Sequence, residues 1–303
     1  MFDAYRGKTV LVSGGSGFLG HHLIQILHDV EAKIINFSLQ NTKPSDVSFF
    51  SGDVSNLDNV KRVLDHSVNL FGQPIDFVFH LAGQKSGPLS YEKPYETMQV
   101  NAVGTLNLLD SLKQRDQTRS ISVISSASTK PLRNGSGKTN LYSPYNISKL
   151  MAELICESYY KSFQVPVACC RLHNIYGPGQ SSESVIASIL SQMKSGADLE
   201  LGNLSPVRDF IYVEDAAKAI LELALSGEFP GKLVEVGTGI GHSIAEVIEL
   251  AKQLTKFQGE INVSSVNKRV GEEDIIVADL TQLRELINWK PEYNLNLGLQ
   301  RMI

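Results

Sequence analysis

A run of glycines close to the N-terminus restricts the fold of this chain more than any other stretch. Residues 8–13 form a short, valine-rich apolar run, which predicts a buried strand. The motif Gly14-Gly15-Ser16-Gly17-Phe18-Leu19-Gly20 follows at once, and residues 22–30 then carry apolar side chains at helical spacing. Strand, glycine turn and helix in this order predict a dinucleotide site, because the helix N-terminus offers free N–H groups to a pyrophosphate. A plain tight turn is the alternative.

The remainder of the first half alternates strands with helices. Further strands are predicted at residues 33–37, 46–51, 75–81, 120–125 and 166–172, and one long helix is predicted over residues 91–114. This alternation predicts an α/β fold with a parallel, doubly wound sheet and right-handed crossovers. Ligands of such sheets bind beyond the carboxyl ends of the strands, so the glycine loop, Ala82-Gly83 and Ser125-Ser126 should converge there.

Composition and charge exclude several classes of protein. The 303 residues, 42% of them hydrophobic, suffice for one large domain or a domain and a half. The net charge of −4 is made of scattered charges without a basic stripe, which argues against nucleic acid as a partner.

No signal peptide or membrane span is recognised, so no membrane association is expected. The three cysteines lie in apolar runs, which predicts reduced core residues and a cytoplasmic location. No histidine has metal-ligand spacing, so no metal site is expected.

Tyr145 and Lys149 are four residues apart at the start of a predicted helix, so their side chains share one face. An ammonium group beside a phenol stabilises the phenolate and lowers the phenol's pKa. A tyrosine tuned in this way can act as a general acid or base. The pattern is short, and a surface Tyr and Lys at helical spacing by chance are the alternative.

The end of the second predicted strand bears on the choice of cofactor. NAD enzymes of this fold usually carry a carboxylate there for the ribose hydroxyls, whereas this chain has Ser38 and no acidic residue before Asp46. A hydroxyl tolerates a 2′-phosphate that a carboxylate would repel, and Lys43 adds a positive charge nearby. NADP is therefore the expected cofactor, with NAD the alternative. Asp53, after the third strand, is expected to accept from the adenine amino group or else to cap the next helix.

Several motifs in a fixed order together resemble the extended short-chain dehydrogenase/reductase family, which acts largely on sugar nucleotides. They run nearly end to end, starting from the glycine loop. The others are Gly52-Asp53-Val54, His80-Leu81-Ala82-Gly83, Asn101 with Gly104-Thr105, Ser125-Ser126-Ala127, Ser143-Pro144-Tyr145 with Lys149, residues 171–179 and residues 208–215.

The resemblance implies roles for particular residues. Ser126, Tyr145 and Lys149 match the family's catalytic triad, in which the tyrosine moves a proton, the lysine holds the ribose and the serine binds the reacting oxygen. The implied cofactor contacts are Gly14, Ser16, Gly17, Phe18, Leu19, Gly20, Ser38, Asp53, Val54, Leu81, Ala82, Gly83, Asn101, Tyr145 and Lys149. The implied substrate contacts are Lys85, Ser126, Asn174, Arg208 and Arg269. An ion pair with Asp209 or Glu214 is the alternative for Arg208.

The same resemblance implies a domain division and a reaction. A dinucleotide-binding domain of the Rossmann type is expected over residues 1–172, with 209–237 returning to it, and a smaller sugar-nucleotide lobe over 173–208 and 238–303. The expected function is reduction of a nucleotide-linked 4-keto-6-deoxyhexose, by similarity to GDP-4-keto-6-deoxymannose reductases, in a homodimer.

Three alternatives stay open. A nucleotide-sugar epimerase would use the same triad with tightly held NAD. A 4,6-dehydratase is less favoured, because Ala127 and Ser128 stand where that branch carries a carboxylate. A non-catalytic dinucleotide-binding protein on the same fold is the third.

Overall fold

A seven-stranded sheet forms the centre of the molecule. The computed structural model describes residues 2–41, 47–115, 118–129, 143–196, 198–263 and 273–303. The sheet strands are β1 (Thr9–Ser13), β2 (Lys33–Ser38), β3 (Ser48–Ser51), β4 (Phe77–His80), β5 (Ser120–Ser126), β6 (Val167–Leu172) and, after three strands outside this sheet, β10 (Leu233–Val236). Their order is β10-β6-β5-β4-β1-β2-β3, and every pairing is parallel. The predicted doubly wound parallel sheet is therefore confirmed.

Helices cover both faces of this sheet. They are α1 (Phe18–Asp29), α2 (Leu57–Phe71), α3 (Gly87–Glu92), α4 (Pro94–Met98), α5 (Gly104–Lys113), α6 (Pro144–Phe163), α7 (Val185–Ser195), α8 (Val213–Leu225), α9 (Ile244–Thr255), α10 (Thr281–Leu286) and α11 (Leu295–Gln300), of which α7, α9 and α11 lie away from the sheet. Successive side chains of a strand point to opposite faces. Val10 and Val12 of β1 accordingly join the cluster under α1 and α8, whereas Leu11 joins the cluster under α2, α5 and α6.

A second, smaller layer is built from later parts of the chain. Its strands are β7 (Asn174–Tyr176), β9 (Val207–Tyr212), β11 (Gly241–Ser243) and β13 (Ile275–Ile276), with β9 paired to each of the other three. A separate parallel pair joins β8 (Leu199–Leu201) to β12 (Ile261–Val263). A third hydrophobic cluster lies between this layer and helices α7, α9 and α11. This lobe borders the carboxyl end of β6, because β7 follows β6 after one residue.

The predicted helix over residues 91–114 is interrupted in the structure. Helix α3 ends at Glu92, α4 begins at Pro94, and a π-helical turn, Gln99–Val103, joins α4 to α5. Proline disfavours the helical conformation of the residue before it, and Lys93 accordingly leaves that conformation with φ −129°. The π turn contains Asn101, one of the predicted site residues, and such turns occur often at functional sites.

The strand order also fixes where a ligand can bind. From β1 the chain proceeds outward through β2 and β3 on one side, and through β4, β5 and β6 on the other. Loops on either side of β1 therefore diverge and leave a crevice at the carboxyl edge of the sheet. The glycine loop follows β1, residues 81–83 follow β4, and Ser126 ends β5, so all three reach this crevice.

Candidate active site

The glycine loop forms a cradle that side chains would fill. Gly14 has φ +71°, and a Cβ there would lie 2.5 Å from the backbone nitrogen of Ala82. A Cβ at Gly20 would lie 2.6 Å from the carbonyl oxygen of Gly14, and Gly17 is the N-cap of α1. The loop therefore leaves the N-terminal end of α1 free of bulky side chains, which fits a dinucleotide pyrophosphate bound at the helix N-terminus.

Ser38, at the end of β2, is tied to this loop by hydrogen bonds. Its hydroxyl donates to Asn36 Oδ1 at 2.8 Å and accepts from the backbone N–H of Ser16 at 3.2 Å. Asn36 in turn donates to Ser16 Oγ at 3.0 Å. Uncharged hydroxyl and amide groups therefore lie where NAD enzymes of this fold usually carry a ribose-binding carboxylate. Lys43, the expected cation, lies outside the described residues.

Most of the other predicted cofactor contacts border the same crevice. Leu81, Ala82 and Gly83 follow β4, and the Leu81 N–H donates to the Ser13 carbonyl at 3.0 Å. Leu19 and Val54 are instead buried, each in one of the two hydrophobic clusters that flank the sheet. Phe18 is half-buried, and its ring packs edge-on against His22.

Asp53 does not cap helix α2, which was the alternative to its predicted contact with adenine. The Asp53 carboxylate accepts from the Ser55 N–H at 2.8 Å. The N-cap of α2 is Asn56, whose side chain accepts from the Asn59 N–H at 3.0 Å. Asp53 is half-buried beside Ser38, since the Gly52 N–H donates to the Ser38 carbonyl at 3.1 Å.

Helix α6 places Tyr145 and Lys149 in its first two turns. The helix begins at N-cap Ser143, whose hydroxyl accepts from the Asn146 N–H at 3.1 Å, and Pro144 occupies the first helical position, where a missing N–H costs nothing. Lys149 is buried, and its Nζ donates to the Ile124 carbonyl of β5 at 3.0 Å. A Cβ at Gly83 would lie 3.1 Å from this Nζ, so Lys149 spans from α6 to the loop after β4.

The phenol of Tyr145 lies close to the Ser126 hydroxyl at the end of β5. Burial raises the pKa of Tyr145 above its ordinary value of 10.0, and the hydrogen bond with Ser126 opposes this. The sequence had predicted a pKa lowered by Lys149. Burial disfavours the phenolate more strongly than its neighbours favour it, so Tyr145 is a neutral phenol at neutral pH.

Lys149 is also perturbed by its surroundings. Burial lowers the pKa of its ammonium group from 10.5 to about 8, while Cys169 and the Glu153 carboxylate act in the opposite direction. The group is therefore largely protonated at neutral pH but titrates within the range of ordinary assays.

Ser126 is held by neighbours that the sequence did not reveal. Its Oγ lies 2.9 Å from Ser128 Oγ, and Ser128 donates to Asn146 Oδ1 at 2.8 Å. Asn146 is the residue after Tyr145, so this chain of hydrogen bonds connects the end of β5 to the first turn of α6. Serine and asparagine are common in loops, and only the fold shows that these two meet.

Asn101 also connects the loop at the crevice to helix α6, through its side-chain amide. Its side chain accepts from the Gln84 N–H at 2.8 Å, donates to the Gln84 carbonyl at 3.0 Å and donates to Ser148 Oγ at 2.8 Å. It is buried, with 2% of its surface exposed. Asn101 therefore fixes the loop after Gly83 against the helix that carries Tyr145.

His80, at the end of β4, is buried, and its ring contacts neighbouring hydroxyl groups instead of the crevice. Its Nδ1 lies 2.6 Å from Ser13 Oγ and its Nε2 lies 3.2 Å from Thr105 Oγ1. Burial, together with the Lys149 ammonium, lowers the pKa of the imidazole to about 3, so the ring is neutral.

The predicted substrate contacts lie toward the smaller lobe. Lys85 follows Gly83 and is exposed, and Asn174 is exposed on β7. Arg208 is buried on β9, where its Nη1 donates to the carbonyls of Val207 at 2.9 Å and Asp274 at 3.4 Å. Arg269 lies outside the described residues.

Asp209, considered as an ion-pair partner of Arg208, is occupied elsewhere. Its carboxylate accepts from the N–H groups of Thr238 and Gly239, both at 2.8 Å, and of Ala278 at 3.2 Å. Neighbouring residues of a strand point to opposite faces, which separates the two side chains. Asp209 therefore joins β9 to the loop after β10.

The described residues offer neither a metal-binding cluster nor a membrane-spanning helix. No group of three or more His, Cys, Asp or Glu side chains there is placed to hold a metal ion. None of the helices in the described ranges is both long and apolar enough to cross a membrane.

Comparison with known proteins agrees with the fold and the glycine cradle. Residues 10–237 match the model of the NAD dependent epimerase/dehydratase family. The chain is 28% identical over 303 residues to a putative UDP-glucose 4-epimerase of Methanocaldococcus jannaschii, covering 97% of both chains. It is 32% identical over 242 residues to a GDP-6-deoxy-D-mannose reductase of Pseudomonas aeruginosa, covering 75% of this chain and 79% of the relative.

A solved structure shows the same architecture. The structure of RMD from Pseudomonas aeruginosa complexed with NADPH superposes with a TM-score of 0.78, at 29% identity and with 97% of each chain covered. Its fold matches that of the described chain over nearly its full length. The glycine cradle, the strand order and the family match lead to one conclusion, that this chain is a member of the NAD-dependent epimerase/dehydratase family.

Proposed function

We propose that this chain is an NADPH-dependent reductase of a nucleotide-linked 4-keto-6-deoxyhexose. The observation that carries the proposal is the neutral end of β2, where the Ser38 hydroxyl is bonded to Ser16 and Asn36. A carboxylate at this place would repel a 2′-phosphate, whereas a hydroxyl leaves room for NADPH. NADPH is a cofactor of reductive reactions, and the Pseudomonas aeruginosa reductase relative and its NADPH-bound structural neighbour support the same direction.

The cofactor would be held by the chain's own cradle. The N-terminal end of α1, with Gly14, Gly17 and Gly20, would bind the pyrophosphate, and Ser38 would border the adenosine ribose. Lys149 would bind the nicotinamide ribose, since its ammonium lies beside Gly83 at the crevice. When bound, the nicotinamide supplies the hydride that reduces the sugar carbonyl.

Tyr145 would supply the proton. Reduction of a carbonyl leaves negative charge on its oxygen, and a neutral phenol held by burial is suited to protonate it. Ser126 lies beside Tyr145 and would donate to the same oxygen as charge develops. The Lys149 ammonium would stabilise the phenolate left after proton transfer.

The two residues after the proposed reacting serine, Ala127 and Ser128, argue against dehydration, because neither is a carboxylate. Ser128 Oγ lies 2.9 Å from Ser126 Oγ, so the side chain at this position reaches the reacting group. A 4,6-dehydratase needs a carboxylate there to take a proton from the sugar ring. A hydroxyl is far too weak a base for that step at neutral pH.

An epimerase is the second candidate. The observation in its favour is the similarity to the putative UDP-glucose 4-epimerase of Methanocaldococcus jannaschii over 97% of both chains. The same triad would first oxidise the sugar hydroxyl and then reduce the ketone from the other face, with tightly held NAD. That first step needs the Tyr145 phenolate as a base, and burial, which raises the pKa of Tyr145, lowers the population of this phenolate.

The smaller lobe would bind the nucleotide part of the substrate. We propose residues 173–208 and 238–303 as this lobe, with residues 1–172 and 209–237 forming the cofactor domain. Arg208 would pair with the diphosphate, because a guanidinium fork matches phosphate oxygens. Lys85, Asn174 and Arg269 would add contacts to the phosphates or the sugar.

A cytoplasmic homodimer is the proposed assembly. Met151 and Leu154 on α6 are 42% and 50% exposed, and Tyr95 on α4 is 74% exposed. Helices α4 and α6 pack against each other, so these apolar side chains lie on neighbouring helices that a second copy would cover. All three cysteines are free and buried, which agrees with a reducing compartment. Light scattering of the purified protein tests the assembly.

An assay on purified protein separates the two reactions. The protein is denatured and its released nucleotide is identified, and fresh protein is then given GDP-4-keto-6-deoxymannose with NADPH or NADH, and UDP-glucose alone. A reductase should be purified largely without NAD and should reduce the keto sugar with NADPH. Retained NAD together with conversion of UDP-glucose to its 4-epimer would establish the epimerase instead.

A further inference from the structure

A buried carboxylate, Glu153, lies beneath the triad and has no part in the proposed chemistry. It follows Lys149 by one helical turn and Tyr145 by two, so all three side chains share one face of α6. Only 2% of its surface is exposed. Buried glutamates are rare unless they are paired, so the contacts of this one indicate its role.

Glu153 holds the end of β5 on both sides of Ser126. Its Oε1 accepts from Ser125 Oγ at 2.6 Å, and it lies 2.7 Å from Thr129 Oγ1. Thr129 Oγ1 also lies 2.8 Å from the Ser126 carbonyl oxygen. The two tied residues flank Ser126 in the chain, so the position of Ser126 follows the position of Glu153.

The carboxylate itself is fixed by Arg171 of β6. Arg171 donates through Nε to Oε1 at 3.1 Å and through Nη2 to Oε2 at 2.9 Å, and its side chain is 5% exposed. The bidentate pair fixes orientation as well as distance. Such a buried pair adds little net stability compared with apolar residues, so a geometric role accounts for it better.

We propose that Glu153 is a positioning residue, which sets the distance between Ser126 at the end of β5 and Tyr145 on α6. It is buried away from the crevice and would act through Ser125 and Thr129. The proposal rests on the catalytic roles proposed above for Ser126 and Tyr145. A displacement of about 1 Å at such a site can lower the rate by roughly 10²-fold.

The test removes the hydrogen bonds that Ser125 and Thr129 donate to Glu153, and it keeps the ion pair between Glu153 and Arg171. Replacing Glu153 would leave Arg171 without its buried partner, and such a variant can fail to fold. The variants are therefore Ser125→Ala with Thr129→Val, and Thr129→Ser as the conservative change that keeps the hydroxyl. Ser122→Ala is the matched control, because Ser122 is also a buried serine of β5 and its hydroxyl makes no hydrogen bond within the described residues.

The expected result is a loss in kcat without a loss in binding. The double variant should lose about tenfold or more in kcat, while KM for the sugar nucleotide and Kd for NADPH stay within about twofold. Thr129→Ser and Ser122→Ala should keep kcat near that of the wild type. A double variant with wild-type kcat would overturn the positioning role.

A second readout separates this proposal from the proposed reaction. The Tyr145 phenol is titrated by ultraviolet difference spectroscopy, each protein against the same protein carrying Tyr145→Phe. The substitutions change no charge, so loss of the Ser126 hydrogen bond should raise the pKa of Tyr145 further in the double variant. This outcome is expected even if the protein reduces none of the sugars tested. An unchanged titration would refute the positioning role whatever the reaction is.

Discussion

Burial decides the charge state of the site more than neighbouring charges do. Burial raises the pKa of Tyr145, lowers that of Lys149 to about 8 and lowers that of His80 to about 3. All three shifts disfavour the charged form, as expected for groups removed from water. The site therefore holds a neutral phenol and a neutral imidazole beside an ammonium group that is easily deprotonated.

The lowered pKa of Lys149 predicts a particular dependence of stability on pH. Between pH 8 and pH 10.5 the unfolded chain binds this proton while the folded chain releases it, so the free energy of unfolding rises with pH. From about pH 7.5 to about pH 9 the gain should be about 1 kcal/mol relative to Lys149→Met. Urea unfolding of both proteins at the two pH values measures it. Equal changes in the two proteins would mean that Lys149 titrates normally.

Ser38 predicts the choice of cofactor. Ser38→Asp should shift the preference from NADPH toward NADH by about tenfold or more, because the new carboxylate repels the 2′-phosphate. Ser38→Asn is the matched control, since it changes the size of the side chain without adding charge. The ratio of kcat/KM for the two cofactors measures the preference. A wild type that already prefers NADH would show that this position was misinterpreted.

At the scale of elements, the turn between β1 and α1 depends on the absence of a Cβ. Gly14→Ala would place a Cβ 2.5 Å from Ala82 N at φ +71°, whereas Gly72→Ala, at the end of α2 with φ +64°, meets no atom within 4 Å. Gly72→Ala should cost about 1–2 kcal/mol for its backbone conformation alone. Gly14→Ala should cost more and also abolish NADPH binding, as measured by urea unfolding and fluorescence titration. Similar losses in both variants would remove the close contact as the cause.

The position of Arg208 on strand β9 predicts where the substrate binds. Arg208→Ala should raise KM for the sugar nucleotide by roughly thirtyfold, because an unpaired diphosphate costs about 2 kcal/mol or more. The Kd for NADPH should not change. Arg119→Ala, which removes a 61% exposed arginine side chain, is the control. If KM stays at the wild-type value in a folded variant, Arg208 serves the structure of β9 only.

The elements that local sequence determines were predictable, and those that depend on distant contacts were not. Strands β5 (Ser120–Ser126) and β6 (Val167–Leu172) lie within one residue of the predicted bounds 120–125 and 166–172, because short apolar runs mark them. The π turn around Asn101 was missed, since it depends on contacts with Gln84 and Ser148. Glu153 was missed for the same reason, because its partners come from β5 and β6.

At the scale of the whole molecule, the strand order gathers the residues of the proposed site from several separate segments. The cradle comes from β1, Ser126 from β5, and Tyr145 and Lys149 from α6, all at the carboxyl edge of one sheet. The second layer, built around β9, adjoins this edge and supplies Arg208. The proposed dinucleotide and nucleotide-sugar sites would therefore meet at this edge of the sheet.

Transfer of deuterium from the cofactor tests the proposed reduction most directly. The protein is given GDP-4-keto-6-deoxymannose with NADPH that carries deuterium on the transferable position, and the product is analysed by mass spectrometry and NMR. One NADPH should be oxidised per sugar reduced, with deuterium at sugar C4. Tyr145→Phe should bind NADPH normally but react roughly 10²–10⁴-fold more slowly. No deuterium in the sugar and no consumption of NADPH, with a 4-epimer formed from a nucleotide sugar, would contradict the proposal.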